Sequence, residues 1–147
     1  MKKPTHLLSG LLLTETYIVW LGVPLELAYL VHPLVTSVVC MTAGVCLAGS
    51  VFPDIDLKIP FLGHRTLTHW PIPYLLGAFV FWHYAMAYPF LFCLAVLVHI
   101  FLDSFTKMGV PVVKPFGRRY GIRRVTTGSI AELFFVFALC AAGWWLL

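Results

Sequence analysis

Five apolar runs, each close to the length needed to cross a bilayer, occupy most of this 147-residue chain. A spanning helix needs about 20 mostly apolar residues, with a range of about 17 to 25. The first run goes from His6 to Leu21 and extends toward Tyr29 through a break at Pro24. The others are Leu34 to Phe52, Ile72 to Ala87, Pro89 to Phe105 after a tight turn expected at Tyr88-Pro89, and Ser129 to Leu147. The chain is 61% hydrophobic and 11% charged, with a mean hydropathy of +0.92, whereas an average soluble domain is about 25% charged. A soluble core of this size has no means of hiding so much apolar surface. The expected fold class is therefore all-α: a polytopic membrane protein with about five transmembrane helices, its residues 1–147 forming one integral membrane domain. Met1-Lys2-Lys3 ahead of an apolar run is superficially like a signal peptide, but Glu15 interrupts the run and no small-residue cleavage site follows. It reads as a retained first span.

Against this apolar background the ionisable residues are few and clustered. All three Asp residues and three of the six His lie in Pro53-Asp54-Ile55-Asp56, His64-Arg65-Thr66-Leu67-Thr68-His69 and His99-Ile100-Phe101-Leu102-Asp103. Ionisable groups are costly in an apolar medium unless they are paired or bound to a metal. Threading five spans puts all ten Lys and Arg on one side: Lys2, Lys3, Lys58, Arg65, Lys107, Lys114, Arg118, Arg119, Arg123 and Arg124. The opposite turns carry Glu26. Cytoplasmic loops are enriched in Lys and Arg, so the N-terminus is expected in the cytoplasm and the C-terminus outside. The same threading brings His6, Asp54, Asp56, His64, His69, His99, Asp103 and Glu132 to that one face. His32 and His83 fall toward the other face, and Glu15 lies mid-span.

The clusters have the chemistry of a metal site. His99 and Asp103 are four apart, on one helix face. Pro53 is expected to end the second helix, and an extended Asp54-x-Asp56 would aim both carboxylates one way, where they repel unless a cation sits between them. His64 and His69 add imidazoles, and His6 is a further candidate. Seven ligands are thus expected: His6, Asp54, Asp56, His64, His69, His99 and Asp103. Mixed His/Asp ligation suits a divalent metal, zinc first, with manganese or iron as alternatives, and the ligand count allows one or two ions. Such an ion generates hydroxide from bound water near neutral pH. Asp54, Asp56 or Glu132 would take the proton, Arg65 would stabilise charge developing on a phosphoryl or acyl oxygen, and Thr68 would bond a substrate or cap the third helix. H-E-x-x-H and G-x-S-x-G are both absent, which argues against a zincin protease and a serine hydrolase. The competing readings are a His–Asp bond that merely ties helices together and a solvated acidic turn.

Cys40, Cys46, Cys93 and Cys140 sit in apolar runs without a C-x-x-C pair, and are read as small buried hydrophobes. The net charge of +4 points to anionic lipid headgroups or phosphate-bearing substrates, and no nucleic-acid module is recognisable.

The ordered series Thr5-His6-Leu7-Leu8, Pro53-Asp54-Ile55-Asp56, Gly63-His64-Arg65-x-x-Thr68-His69, His99-x-x-x-Asp103, Gly109-Val110-Pro111, Pro115-Phe116, Gly128 and Glu132 resembles the LexA-regulated inner-membrane metal-dependent hydrolases, the YdjM-like family. The family's usual third segment reads His-Arg-Gly-x-Thr-His-Ser; here Thr66 replaces the Gly and Trp70 the Ser. The resemblance implies a metal-dependent hydrolase of the bacterial inner membrane, induced by DNA damage. Its residue types are also similar to those of helical zinc phospholipases C. The expected activity is hydrolysis of an ester or phosphoester bond of a lipid or lipid-linked phosphate at the cytoplasmic face. The alternative is a metal-binding or transport protein without catalysis.

Overall fold

The computed structural model describes residues 3–23, 32–59, 65–122, 124–127, 129, 132 and 138. Among the described residues four α-helices carry the fold: α1 Lys3–Trp20, α2 Pro33–Val51, α3 Pro71–His83 and α4 Ala87–Ser104. A 3₁₀ helix, Phe52–Lys58, continues directly from α2, and a two-stranded antiparallel hairpin, β1 Val110–Pro111 with β2 Arg119–Tyr120, follows α4.

Local chemistry sets the helix ends. Pro33 and Pro71 open α2 and α3, where a missing N–H costs nothing. At the end of α1, Gly22 adopts φ 69°. Its N–H donates to Val19 O at 2.9 Å and that of Val23 to Ile18 O at 3.3 Å, the Schellman pattern that satisfies terminal carbonyls. Helix α3 ends the same way, but with Ala85 at φ 52° in place of glycine; Met86 N–H donates to Phe81 O at 2.8 Å. The turn expected at Tyr88-Pro89 therefore lies earlier, at Tyr84-Ala85. Pro89 sits in the first turn of α4, where its ring displaces no hydrogen bond.

Helix α4 is the centre of the bundle and packs against the other three. It buries Leu91, Cys93, Ala95, Val96, Ile100 and Leu102, together with His99 and Asp103. Much of the remaining apolar surface faces outward: Leu34, Phe79, Leu76, Trp20 and Trp82 are each more than 60% exposed, as expected of residues that meet lipid. By length and composition, two described helices can cross a membrane, Pro33–Lys58 (mean hydropathy 2.0) and Ala87–Ser104 (1.8). The expectation of five spans is thus met in part. Helix α3, at 13 residues, is about 20 Å long, and the expected fifth span lies almost wholly outside the described residues.

His6 in the first turn of α1, the 3₁₀ helix after α2, and the C-terminal turn of α4 meet at one end of the bundle. The hairpin folds onto that end, with Ile122 N–H donating to Ser104 O and Val125 N–H to Phe105 O, each at 2.9 Å. Every described Lys and Arg belongs to that end or to the hairpin. Trp20, Trp82, Tyr17 and Phe90 mark the opposite end, where they line an apolar groove.

Candidate metal centre

His99 anchors the centre. It lies on the inner face of α4 and is fully buried. Its Nδ1 is 2.6 Å from Ser50 O, an acceptor, so Nδ1 carries the proton and donates. That bond fixes the tautomer and leaves the Nε2 lone pair pointing into the site, the arrangement by which proteins orient a histidine ligand. Nε2 has no hydrogen-bond partner. The His6 ring stacks on the His99 ring with centroids 3.5 Å apart, and neither of its nitrogens is hydrogen-bonded. Buried polar atoms in native proteins are nearly always satisfied, so three buried ring nitrogens without a hydrogen bond on two touching imidazoles point to something that binds them.

Asp103, one turn beyond His99, brings its carboxylate to the same point. Its Oδ1 lies 3.5 Å from His6 Nε2, and its Oδ2 lies 3.4 Å from His69 Nε2 and 3.7 Å from His99 Nε2. Asp54 Oδ1 is 3.7 Å from His99 Nε2. Ligands held about 2.1 Å from a tetrahedral ion are about 3.4 Å apart, so these separations are close to those of a shared coordination sphere. The donors fall into two groups, His6–Asp54–His99 and His69–His99–Asp103, each within 4.8 Å. His99 belongs to both and has one free nitrogen, so the groups describe a single centre. A second ion would need a carboxylate bridge from Asp54 or Asp103.

The Asp-x-Asp pair does not behave as expected. Pro53 does not end the helical path, because proline is tolerated in the first turn of a helix, and the chain continues as a 3₁₀ helix. At three residues per turn, side chains two apart point about 120° away from each other. Asp54 therefore reaches His99, while Asp56 turns to the other edge of His69. Asp56 Oδ2 accepts the Arg65 N–H at 2.8 Å and the Thr68 hydroxyl at 2.8 Å, and lies 3.3 Å from His69 Nδ1. Asp56 belongs to neither donor group; it holds His69 so that Nε2 faces inward.

Arg65 and Thr68 are also placed differently from expectation. Arg65 is 3% exposed. Its Nη2 pairs with Asp103 Oδ2 at 2.8 Å, and its Nη1 donates to Thr106 Oγ1 at 2.6 Å and to Gly109 O at 3.3 Å. Burial pushes its guanidinium below the ordinary value, Asp103 being the main opposing influence, though arginine keeps its charge in proteins. With both terminal nitrogens engaged, Arg65 clamps Asp103 to the hairpin. The Thr68 hydroxyl is given to Asp56 rather than to helix α3 as a cap. Trp70, at the N-cap of α3, makes no cap bond either; its indole donates to Val112 O at 3.2 Å. Glu132 is buried one residue away from the donor set, accepting the Thr5 hydroxyl at 2.5 Å. His64 lies outside the described residues. Sequence reading missed Thr106, fully buried, which accepts from Arg65 and donates to Asp103 O at 2.7 Å. Its signal was a short hydroxyl side chain three residues past Asp103.

A helical bundle with an outward apolar surface and most of its described ionisable side chains gathered at one end is an integral membrane protein with a polar centre at that end of the bundle. The chain belongs to the YdjM inner membrane protein family, whose model matches residues 1–146. No curated protein and no solved structure matches it.

Proposed function

We propose that this inner-membrane protein is a metal-dependent hydrolase that cleaves an ester or phosphoester bond, with a lipid or lipid-linked phosphate at the cytoplasmic face as substrate. The observation that carries the reading is the convergence of His6, Asp54, His69, His99 and Asp103 from four separate segments, with buried ring nitrogens of His6 and His99 that make no hydrogen bond and face the carboxylates at 3.5–3.7 Å. These five would hold one divalent ion, zinc before manganese or iron, since the donor set is nitrogen and carboxylate without thiolate. A bound ion supplies Lewis-acid polarisation of the scissile group and an acidified water.

The chain's own residues divide the remaining work. Asp54, 11% exposed, is the least buried of the site carboxylates, so its second oxygen is the one placed to accept a proton from an attacking water. Asp56 and Ser50 O fix the tautomers of His69 and His99. Arg65 and Thr106 hold Asp103. The positive charge of the site end supports a cytoplasmic orientation, in which the substrate would be one of the inner leaflet.

The test is the metal content of detergent-purified protein by mass spectrometry, beside a His99→Ala/Asp103→Ala variant. About one equivalent in the wild type, lost in the variant, supports the reading, and a screen of lipid phosphates for released product then tests the chemistry. A wild type that takes up no zinc, manganese or iron refutes it.

A further inference from the structure

Beside the centre, a groove of about 420 Å³ runs between the N-terminus of α1 and the end of α2. Its walls are Ala48, Val51, Phe52 and Ile55, its two cations are Lys3 and Lys58, and Asp54 lies on its floor. The volume is within the range of small-molecule sites, about 300–1,000 Å³. We infer that this groove binds the phosphate headgroup of an anionic membrane lipid between Lys3 and Lys58, with the upper acyl chain against Val51, Phe52 and Ile55, and delivers it past Asp54. The inference deepens the hydrolase reading and rests on it for the bond cleavage after binding.

Three observations point to this ligand. First, Asp54 lines the groove and also belongs to the His6–Asp54–His99 donor group, so the groove and the centre share a wall. Second, the charges are separated by function. Both lysines are exposed at the groove, and the one carboxylate there faces His99 Nε2 at 3.7 Å. An anion at the lysines therefore meets two cations. Third, apart from those three side chains the described lining is apolar, which suits a ligand with a hydrocarbon tail and gives a free phosphoester nothing beyond the two lysines. Phe52 and Ile55 are each part-exposed on the outer surface of the bundle, so the groove opens toward the place where lipid lies.

The experiment measures binding rather than turnover. Chelator-treated protein in zwitterionic detergent is titrated by calorimetry with dihexanoyl phosphatidic acid, and separately with glycerol 3-phosphate. Each lysine near an anionic surface contributes about 1 kcal/mol, a factor of about five. Lys3→Gln and Lys58→Gln are each expected to weaken phosphatidic acid binding about fivefold, and the pair about 25-fold. The Lys3→Arg/Lys58→Arg variant, which keeps both charges, retains it. Lys114→Gln, on the hairpin and away from the groove, leaves it unchanged. Glycerol 3-phosphate, without a tail, binds far more weakly. Wild-type affinity in the Gln pair, an equal loss in Lys114→Gln, or equal binding of glycerol 3-phosphate would each overturn the inference. Metal content of the same preparations separates the two readings: lysine-dependent lipid binding by a protein that never takes up metal leaves the groove standing and removes the hydrolase, and metal uptake without lipid binding does the reverse.

Discussion

His99→Asn separates a metal ligand from a helix pin. The asparagine amide nitrogen sits where Nδ1 sits in histidine, so the bond to Ser50 O is kept, but nothing replaces Nε2, the atom 3.7 Å from both Asp54 and Asp103. If His99 only ties α4 to α2, the variant loses little. If it is a ligand, metal affinity collapses while the fold persists. A ligand that binds only the folded state stabilises it by about 2.7 kcal/mol at 100 times its dissociation constant. For a chain of this length each kcal/mol moves the melting temperature by about 2–4 °C, so zinc at that concentration raises the wild-type midpoint by about 8 °C. Loss of supporting contacts to a ligand costs 10–100-fold in affinity, and loss of the ligand itself costs at least the upper figure. At the same zinc concentration the variant then gains about 0.4 kcal/mol, or about 1 °C. The assay is thermal unfolding in detergent, with and without zinc after chelator treatment. An equal zinc shift in both proteins shows that His99 is no ligand, and the centre as drawn is wrong.

The same geometry makes three further predictions. Asp56→Asn removes the charge that holds His69, so zinc affinity in a chelator-competition titration is expected to fall about 10–100-fold; a loss as large as that of His99→Asn would make Asp56 a ligand instead. Arg65→Met leaves Asp103 buried without its guanidinium partner, and removing one member of a buried pair costs about 3–5 kcal/mol. The metal-free variant should therefore melt much earlier than wild type and recover part of the difference with zinc, whereas unchanged melting would show that Arg65 is no clamp. Gly109→Ala places a Cβ at φ 63° and 2.7 Å from Tyr120 O; the left-handed conformation alone costs about 1–2 kcal/mol, so a lower melting temperature is expected, and an unchanged one would show that β1 and β2 do not pack as described.

Hydropathy read the helices well because span length and apolar content are local quantities. The runs beginning at His6, Leu34, Ile72 and Pro89 each begin within a few residues of a helix start. The residues of the site were legible for the same reason, since a buried charge in an apolar chain is conspicuous wherever it falls. Their roles were not. Whether Asp54 and Asp56 aim together or apart depends on whether the backbone after Pro53 is extended or 3₁₀, and proline permits both. The identity of Arg65 suggests a group that faces a phosphate, yet its guanidinium is spent inside the protein. Its neighbours, Asp103, Thr106 and Gly109, are 38 to 44 residues away in sequence. Asp56 and Asp103 are the same residue type, and only the side of the imidazole each one meets distinguishes a support from a ligand.

The arrangement of polar groups below the centre bears on catalysis against transport. A transporter needs ligands or water along its path, and α1 and α2 do bury Ser9, Thr14, Thr42 and Ser50 beneath the histidines. Three of these hydroxyls are turned back on their own helices: Ser9 donates to His6 O at 2.8 Å, Thr14 to Gly10 O at 2.9 Å and Ser50 to Leu47 O at 2.9 Å. They satisfy themselves locally, as serine and threonine do inside helices, and offer a passing cation little. Among the described residues the helices also pack closely at two points. A Cβ at Gly10 would lie 2.8 Å from Ser50 Oγ, and one at Gly49 would lie 2.7 Å from Phe92 O. The helices meet nearly backbone to backbone at the depth a pathway would have to cross, the small-residue packing of membrane helices. Among the described residues Glu15, half-buried, is the one acid deeper in the helices. Among the described residues, helix contacts lie below the centre and a groove borders it at Asp54, so a ligand would exchange with the face from which it came. One-sided binding and release is what the proposed hydrolase requires and a transporter must avoid.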